Sequence, residues 1–229
     1  MRNSLLSAAV LAVFVGTTTA GQAPATKPLD PNRFEPEIRK FEDADRIAPP
    51  PRGAVVFIGS SSIRRWDTLA QDFPGVPVLN RGFGGSEASD VVRYAKRILV
   101  PYRPAKVVFY AGDNDLARGK TPAQIAADVR QLWQMVGQAL PETRMAIISV
   151  KPSFARWELV AKTRETNDLL RRFAASDPRL TFIDVFTPML GPDGKPIPEH
   201  FVEDGLHLTP AGYRVWTAAL ASFVQPQPR

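Results

Sequence analysis

The stretch Ala54-Val55-Val56-Phe57-Ile58-Gly59-Ser60-Ser61-Ser62 carries the strongest indication of the fold. Its five apolar residues are too few for a helix, and the glycine that follows them marks a turn. A short, continuously apolar run of this kind is typical of a parallel strand that is buried on both faces. Three serines follow at once, so the stretch predicts a buried strand with a polar group at its carboxyl end.

Four further apolar runs, at residues 76–79, 106–111, 145–150 and 180–183, predict more short strands. Helical stretches separate them. One opens at Ser86, one near Pro122, one covers residues 156–175, and the last begins near Pro210. Strands that alternate with helices predict an α/β fold with a parallel sheet of about five strands and helices on both faces.

The N-terminal segment is typical of a protein made for export. Arg2 precedes an apolar run from Leu5 to Val15, and small residues up to Ala20 provide a cleavage site. We therefore expect a signal peptide at residues 1–20, a flexible linker at residues 21–32 and a single domain at residues 33–229. An uncleaved N-terminal anchor is the alternative, but the apolar run is shorter than the roughly 20 residues of a membrane span.

Composition excludes several classes of protein. With 44% hydrophobic and 23% charged residues, the chain can bury a core and is not a disordered tail. It has no cysteine, and therefore no disulfide, no thiolate nucleophile and no cysteine metal site. The formal charge is +6, but the basic residues are spread along the chain rather than gathered on one element, which argues against a nucleic-acid partner.

Four segments are polar or glycine-rich. The first three follow the first three predicted strands, and the fourth precedes the last helix. They are Gly59-Ser60-Ser61-Ser62, Asn80-Arg81-Gly82-Phe83-Gly84-Gly85-Ser86, Gly112-Asp113-Asn114-Asp115 and Asp204-Gly205-Leu206-His207. Ligands of open parallel sheets bind beyond the carboxyl ends of the strands, so we expect these four segments to meet there.

The residue types in these segments suit acyl transfer. A serine becomes a nucleophile when a base lies in reach and another group orients that base. Only two histidines are available, and His200 lies in a proline-flanked loop, whereas His207 follows Asp204 by three residues. That spacing lets a carboxylate fix the imidazole tautomer. Gly85 and Asn114 offer donors for an oxyanion, although each segment alone is also compatible with a helix cap or a turn.

In their order, these segments resemble the sequence blocks of the SGNH (GDSL-like) hydrolases. The apolar strand with Gly59-Ser60-Ser61 is similar to the nucleophile block, and Gly85 to the glycine block. Gly112-Asp113-Asn114-Asp115 is similar to the Gly-x-Asn-Asp block, and Asp204-Gly205-Leu206-His207 to the Asp-x-x-His block. The resemblance extends from about Ala54 to Tyr213. In one respect the chain departs from the family: Ser60 stands where the family usually has aspartate, and Ser62 is then the alternative nucleophile.

The resemblance implies a flavodoxin-like, three-layer α/β/α sandwich and a serine esterase without a cofactor or metal. It implies Ser61 as nucleophile, His207 as base and Asp204 as its orienting carboxylate. The oxyanion would be held by the N–H groups of Ser61 and Gly85 and by the Asn114 side chain.

Three other interpretations use the same residues. A serine-rich loop at a helix start can bind the phosphate of a phospho-ligand or flavin. Metal-assisted hydrolysis could use carboxylates and one imidazole, from Asp113, Asp115, Asp204 and His207. A non-catalytic carbohydrate-binding protein is the third, and the full set of candidate catalytic residues argues against it.

The substrate is less well defined than the chemistry. Export and basic charge favour an ester of a carbohydrate, lipid or envelope component, with a short acyl or acetyl group. We expect Ser62, Phe83, Lys151 and Arg156 as candidate substrate-binding residues. Several aromatic residues lie near the predicted site in sequence and would line either a pocket or the core, namely Trp66, Phe83, Phe154, Trp157 and Phe201.

Overall fold

The computed structural model describes residues 29–225, and its centre is a sheet of five parallel strands. The strands are β1 (Val55–Gly59), β2 (Val78–Gly82), β3 (Lys106–Tyr110), β4 (Arg144–Ile148) and β5 (Leu180–Ile183). Their order across the sheet is β2-β1-β3-β4-β5, and every neighbouring pair is parallel. The predicted parallel sheet is confirmed, and each predicted strand overlaps an observed one.

Helices cover both faces of this sheet, which confirms the predicted α/β/α sandwich. The long helices are α1 (Glu35–Ile47), α4 (Ala88–Ile98), α6 (Pro122–Ala139), α7 (Val160–Ala174) and α8 (Pro210–Val224). Three short helices were not predicted because four or five residues are too few to produce a helical period. They are α2 (Ser61–Arg64), α3 (Leu69–Asp72) and α5 (Asp113–Ala117).

Alternate residues of each strand contribute to two separate cores. In β1, Val56 and Ile58 pack with α1, α4, α6 and α7, whereas Val55 and Phe57 pack with α2, α3 and α8. This alternation follows from the period of two along a strand. Because both faces are covered, all five residues of β1 are buried, which explains its unbroken apolar sequence.

The turn after β1 requires a glycine. Gly59 has a φ of 146°, and a Cβ atom at this position would lie 1.8 Å from the carbonyl oxygen of Tyr110. Backbone atoms of neighbouring strands cannot move apart by that much, so a side chain does not fit here. The close approach places Ser60 and Ser61 directly over the carboxyl end of the sheet.

Helix α1 packs against α4. Ile38 is fully buried, while Arg97 of α4 forms ion pairs with Glu35 and Glu42. The predicted signal peptide (1–20) and most of the predicted linker (21–32) lie outside the described residues. Within residues 29–225, no helix combines the length and the hydropathy that crossing a membrane requires.

Candidate active site

Ser61 is the first residue of α2, immediately beyond β1. The Ser60 N–H donates to the carbonyl of Tyr110 at 3.0 Å, and the Tyr213 hydroxyl donates to the carbonyl of Ser62 at 3.0 Å. The serine turn is therefore fixed both to the sheet and to α8. Ser61 itself is 9% exposed, so most of its surface is covered by protein.

His207 connects Ser61 to Asp204. Its Nε2 lies 2.9 Å from Ser61 Oγ, and its Nδ1 lies 2.6 Å from Asp204 Oδ2. An ionised carboxylate can only accept a hydrogen bond, so the proton on the ring belongs to Nδ1. Nε2 is then the acceptor for the Ser61 hydroxyl, which is the arrangement that general-base activation of a serine requires.

The Asp204 carboxylate is held by its own turn. Oδ1 accepts from the N–H groups of Leu206 (2.9 Å) and His207 (2.8 Å), while Oδ2 faces the imidazole. Desolvation raises the pKa of Asp204, but the hydrogen bonds from the His207 ring and from the two backbone N–H groups outweigh it and hold the pKa well below its ordinary value. The carboxylate is consequently ionised at neutral pH. Thr209, and not Asp204, caps α8, through a hydrogen bond from Gly212 N–H.

Three donors of the predicted oxyanion hole lie on neighbouring strand ends. The N–H groups of Ser61 and Gly85 have no acceptor among residues 29–225. Gly85 has a φ of 83° and is exposed, so its loop turns the backbone outward. Asn114 Nδ2 donates to the carbonyl of Ser86 at 3.0 Å, and because an amide nitrogen carries two hydrogens, a second one remains for a substrate.

Asp115, the residue after Asn114, connects the segment that carries Asn114 with the start of α4, just beyond the loop that carries Gly85. Its buried carboxylate accepts from the N–H of Ala88, at 3.0 and 3.2 Å, and from Lys120 Nζ at 3.1 Å. Lys120 also forms ion pairs with Glu87 (3.1 Å) and Asp128 (2.9 Å). Burial raises the pKa of Asp115 to about 6, although Lys120 and the N–H of Ala88 lower it in part. The sequence offered Asp115 as a metal ligand, and the structure gives it a different set of partners.

Lys151 and Arg156 share one carboxylate behind Asn114. Lys151 Nζ lies 3.5 Å and Arg156 Nη1 lies 3.2 Å from Asp113 Oδ2. Burial lowers the pKa of Lys151, and the Asp113 carboxylate opposes that change. The cavity that these residues line measures only about 10 Å³, which is space for about one water and not for a substrate. The role of Lys151 and Arg156 in substrate binding stays a prediction.

Most of the other residues that were predicted to bind substrate or to line a pocket lie in the core. Phe83 is fully buried between Phe34 and Tyr94, and Trp66 is likewise in the core, so neither ring reaches the site surface. Ser62 is 1% exposed. Of the predicted aromatic residues, Phe154 is exposed, at 43%, and it packs edge-on against the buried Phe201.

The metal interpretation gains nothing from the arrangement. Within the described part of the chain, no three His, Asp or Glu side chains come together in a group that could hold a metal ion. Asp113 and Asp115 are occupied by basic side chains and backbone N–H groups, and Asp204 by His207. His200 lies in a short 3-10 helix and does not contact Ser61.

Residues 58–215, more than half of the chain, match the GDSL-like Lipase/Acylhydrolase family. The chain belongs to this family. The predicted resemblance is therefore confirmed, and this GDSL-like protein is a carboxylic ester hydrolase. The matched segment contains all of the strands after residue 58 and every candidate site residue.

Sequence and structure comparisons agree with that assignment. The GDSL-like protein is 30% identical to human platelet-activating factor acetylhydrolase IB subunit alpha1 over 175 residues, which is 74% of each chain. Its fold is similar to that of a GDSL-like lipase from Bacteroides thetaiotaomicron, with a TM-score of 0.69 and 20% identity over 82% of this chain and 96% of the other. It is also similar to an acetyl-xylooligosaccharide esterase of Geobacillus, with a TM-score of 0.59 and 13% identity over 77% and 96% of the chains.

Proposed function

We propose that this GDSL-like hydrolase is an exported serine esterase that cleaves a short acyl or acetyl ester of a carbohydrate, lipid or envelope component. The observation that carries the proposal is the continuous chain of contacts from Ser61 Oγ to His207 Nε2 (2.9 Å) and from His207 Nδ1 to Asp204 Oδ2 (2.6 Å). The N–H groups of Ser61 and Gly85 have no acceptor among residues 29–225, so they are available as oxyanion donors.

In the proposed reaction, Ser61 Oγ bonds to the ester carbonyl carbon as its proton passes to His207 Nε2. The carbonyl electron pair moves to the oxygen, which the N–H groups of Ser61 and Gly85 and the Asn114 amide stabilise. The ester C–O bond then breaks, and the leaving alcohol takes the proton from His207. Water attacks the acyl-enzyme in the same way, with His207 as base, and releases the acid and free Ser61.

The acyl preference and the export are supported by different observations. One relative is an acetylhydrolase subunit and one structural neighbour is an acetyl-xylooligosaccharide esterase, which favours an acetyl or short acyl group here. Export rests on the pattern of residues 1–20. Mass spectrometry of the protein recovered from the cell exterior or periplasm would find a chain that starts near Gly21, and a full-length chain in the cytoplasm would contradict export.

The phospho-ligand alternative receives less support. Ser60 and Ser62 are buried, and the Ser61 hydroxyl faces His207, so the serine turn does not present a row of free hydroxyls to a phosphate. A flavin-binding protein would also be yellow after purification. A visible spectrum with a flavin band would reverse this preference.

The first test is labelling with a fluorophosphonate together with hydrolysis of p-nitrophenyl acetate, butyrate and octanoate. We expect the probe on Ser61 and the fastest turnover with acetate. Ser61→Ala should lose the label and most of the turnover, because the three side chains act as a unit. Ser62→Ala is the matched control, and it should still be labelled at Ser61. A label on Ser62, or wild-type rates in Ser61→Ala, would contradict the proposed nucleophile.

The base can be tested independently through pH. A protonated imidazole cannot accept the serine proton, so the proposed base works only as the neutral ring. Hydrolysis should therefore fall on the acid side, since Asp204 remains ionised there. A rate that stays flat down to about pH 4 would contradict the role of His207.

A further inference from the structure

Arg156 stands beside the proposed oxyanion hole but belongs to none of the segments that form it. It follows the loop after β4, and this loop is tied to the Asp204–His207 turn by a hydrogen bond from Ala155 N–H to the carbonyl of Gly205, at 3.2 Å. The Arg156 side chain is 20% exposed, so most of it is enclosed by protein. A guanidinium in such a place needs partners, and Arg156 has two.

The first partner is the acceptor end of the Asn114 amide. Arg156 Nη2 donates to Asn114 Oδ1 at 2.9 Å, while Asn114 Nδ2 donates to the carbonyl of Ser86 at 3.0 Å. Both ends of the amide are thus fixed. An amide turned by 180° would place its oxygen against the Ser86 carbonyl and its NH2 against the guanidinium, so both contacts would become repulsive.

The second partner is the carboxylate of Asp113, which forms an ion pair with Arg156. Arg156 Nη1 lies 3.2 Å from Asp113 Oδ2 without hydrogen-bond geometry, and Asp113 Oδ1 accepts the backbone N–H of Asn114 at 2.9 Å. Asp113 and Arg156 therefore hold the backbone and the side chain of Asn114 together. Lys151 shares the same carboxylate at 3.5 Å, but no hydrogen bond links it to the amide.

We propose that Arg156 is a positioning residue of the oxyanion hole, which holds and polarises the Asn114 amide so that its second Nδ2 hydrogen is directed at the oxyanion. A cation that binds an amide oxygen draws electron density from the nitrogen, so the N–H becomes a stronger donor. The effect is greatest where negative charge develops, which is in the transition state. Arg156 therefore acts on kcat through Asn114. This inference rests on the proposed esterase function.

The test is a double-mutant cycle between Arg156 and Asn114, with kcat and KM for p-nitrophenyl acetate. Arg156→Met removes the guanidinium but keeps an unbranched chain, and we expect kcat to fall about tenfold with KM nearly unchanged. In the Asn114→Ala background the same change should cost less than about twofold, because the amide that Arg156 acts on is already gone. Arg156→Lys retains the charge and should lose less than Arg156→Met.

The control is Arg171→Met, which removes an exposed arginine that pairs with Asp168 on α7, and it should keep wild-type kcat. An unchanged kcat in Arg156→Met, or an equal loss with and without Asn114, would overturn the inference, since a purely structural arginine acts independently of the amide. If Arg156→Met fails to fold, the same cycle with Arg156→Lys decides. If the wild-type protein shows no label on Ser61, the esterase proposal itself fails. If the wild type is labelled but the cycle shows no coupling between Arg156 and Asn114, only the role of Arg156 fails.

Discussion

The two halves of the proposed site are held in different ways. The Asp204–His207 turn makes its own geometry, because the carboxylate of Asp204 accepts both backbone N–H groups and the imidazole within three residues. Asn114, by contrast, is held by Ser86 and Arg156, which lie 28 and 42 residues away along the chain. Asp204 is 43% exposed, whereas Asp113 and Asp115 beside Asn114 are buried.

The Asp204–His207 pair therefore depends on contacts between residues that are close in sequence, whereas the oxyanion hole depends on contacts between residues that are far apart in sequence. The acid and base need only a tight turn, so a small surface element can supply them. An oxyanion hole needs donors from several strands at one point, so its geometry depends on the packing of the whole sheet edge. We expect changes in the first region to affect activity alone, and changes in the second to affect activity and stability together.

The largest effect should come from His207→Ala. The substitution removes the acceptor for the Ser61 proton, and kcat/KM should fall by about 10⁴-fold or more. The unfolding temperature should hardly change, since the turn is closed mainly by backbone hydrogen bonds to Asp204. His200→Ala is the matched control and should retain activity. Equal losses in both variants would show that folding, and not base catalysis, had been disturbed.

Asn114→Ala should have the next largest effect. Loss of one oxyanion donor lowers kcat by about 10²–10³-fold in a serine hydrolase. Here the unfolding temperature should also fall, because the carbonyl of Ser86 and the guanidinium of Arg156 lose a partner. Steady-state kinetics and thermal unfolding of the same preparation check both parts. An unchanged kcat would remove Asn114 from the oxyanion hole.

Asp115 should make stability depend on pH in the direction opposite to that of an ordinary ion pair. Its pKa is raised to about 6 in the folded protein, from 3.8, so the folded state binds the proton more tightly than the unfolded state. Its contribution to the free energy of unfolding therefore falls as pH rises from about 4 to 6, by about 3 kcal/mol in total. Denaturant titrations of wild type and Asp115→Asn at several pH values would detect this. The difference between the two proteins should change with pH, and a constant difference would contradict the raised pKa.

The smallest effect should come from Arg65→Gln. Arg65 Nη1 lies 4.0 Å from Asp204 Oδ2, and both side chains are largely exposed. Exposed pairs of this kind contribute at most about 1 kcal/mol, so kcat/KM should change by less than about fivefold. Comparison with Arg156→Met then contrasts two arginines near the same site. A loss as large as that of Arg156→Met would indicate that Arg65 takes part in substrate binding.

The sequence predicts the sheet and the Asp204–His207 pair well. It predicts the surroundings of Asn114 less well. Strand β1 is readable because both of its faces are buried, and Asp204 with His207 because three residues suffice for their contact. From the sequence, Arg156 is only a candidate substrate-binding residue, since nothing in the neighbouring sequence identifies Asn114 as its partner. Phe83 stands in a glycine-rich loop that faces the site, yet its ring turns into the core between Phe34 and Tyr94.

The docking of α1 has a consequence for solution conditions. Ile38 anchors this helix in the core, but part of its contact with the rest of the molecule is through the partly exposed ion pairs of Arg97 with Glu35 and Glu42. Added salt screens partly exposed pairs and leaves apolar contacts intact. Rising ionic strength should therefore loosen α1 before the sheet, and amide hydrogens of α1 would exchange faster while those of β1 and β3 stay protected. Helix α1 is therefore the element whose docking we expect to weaken as salt is added.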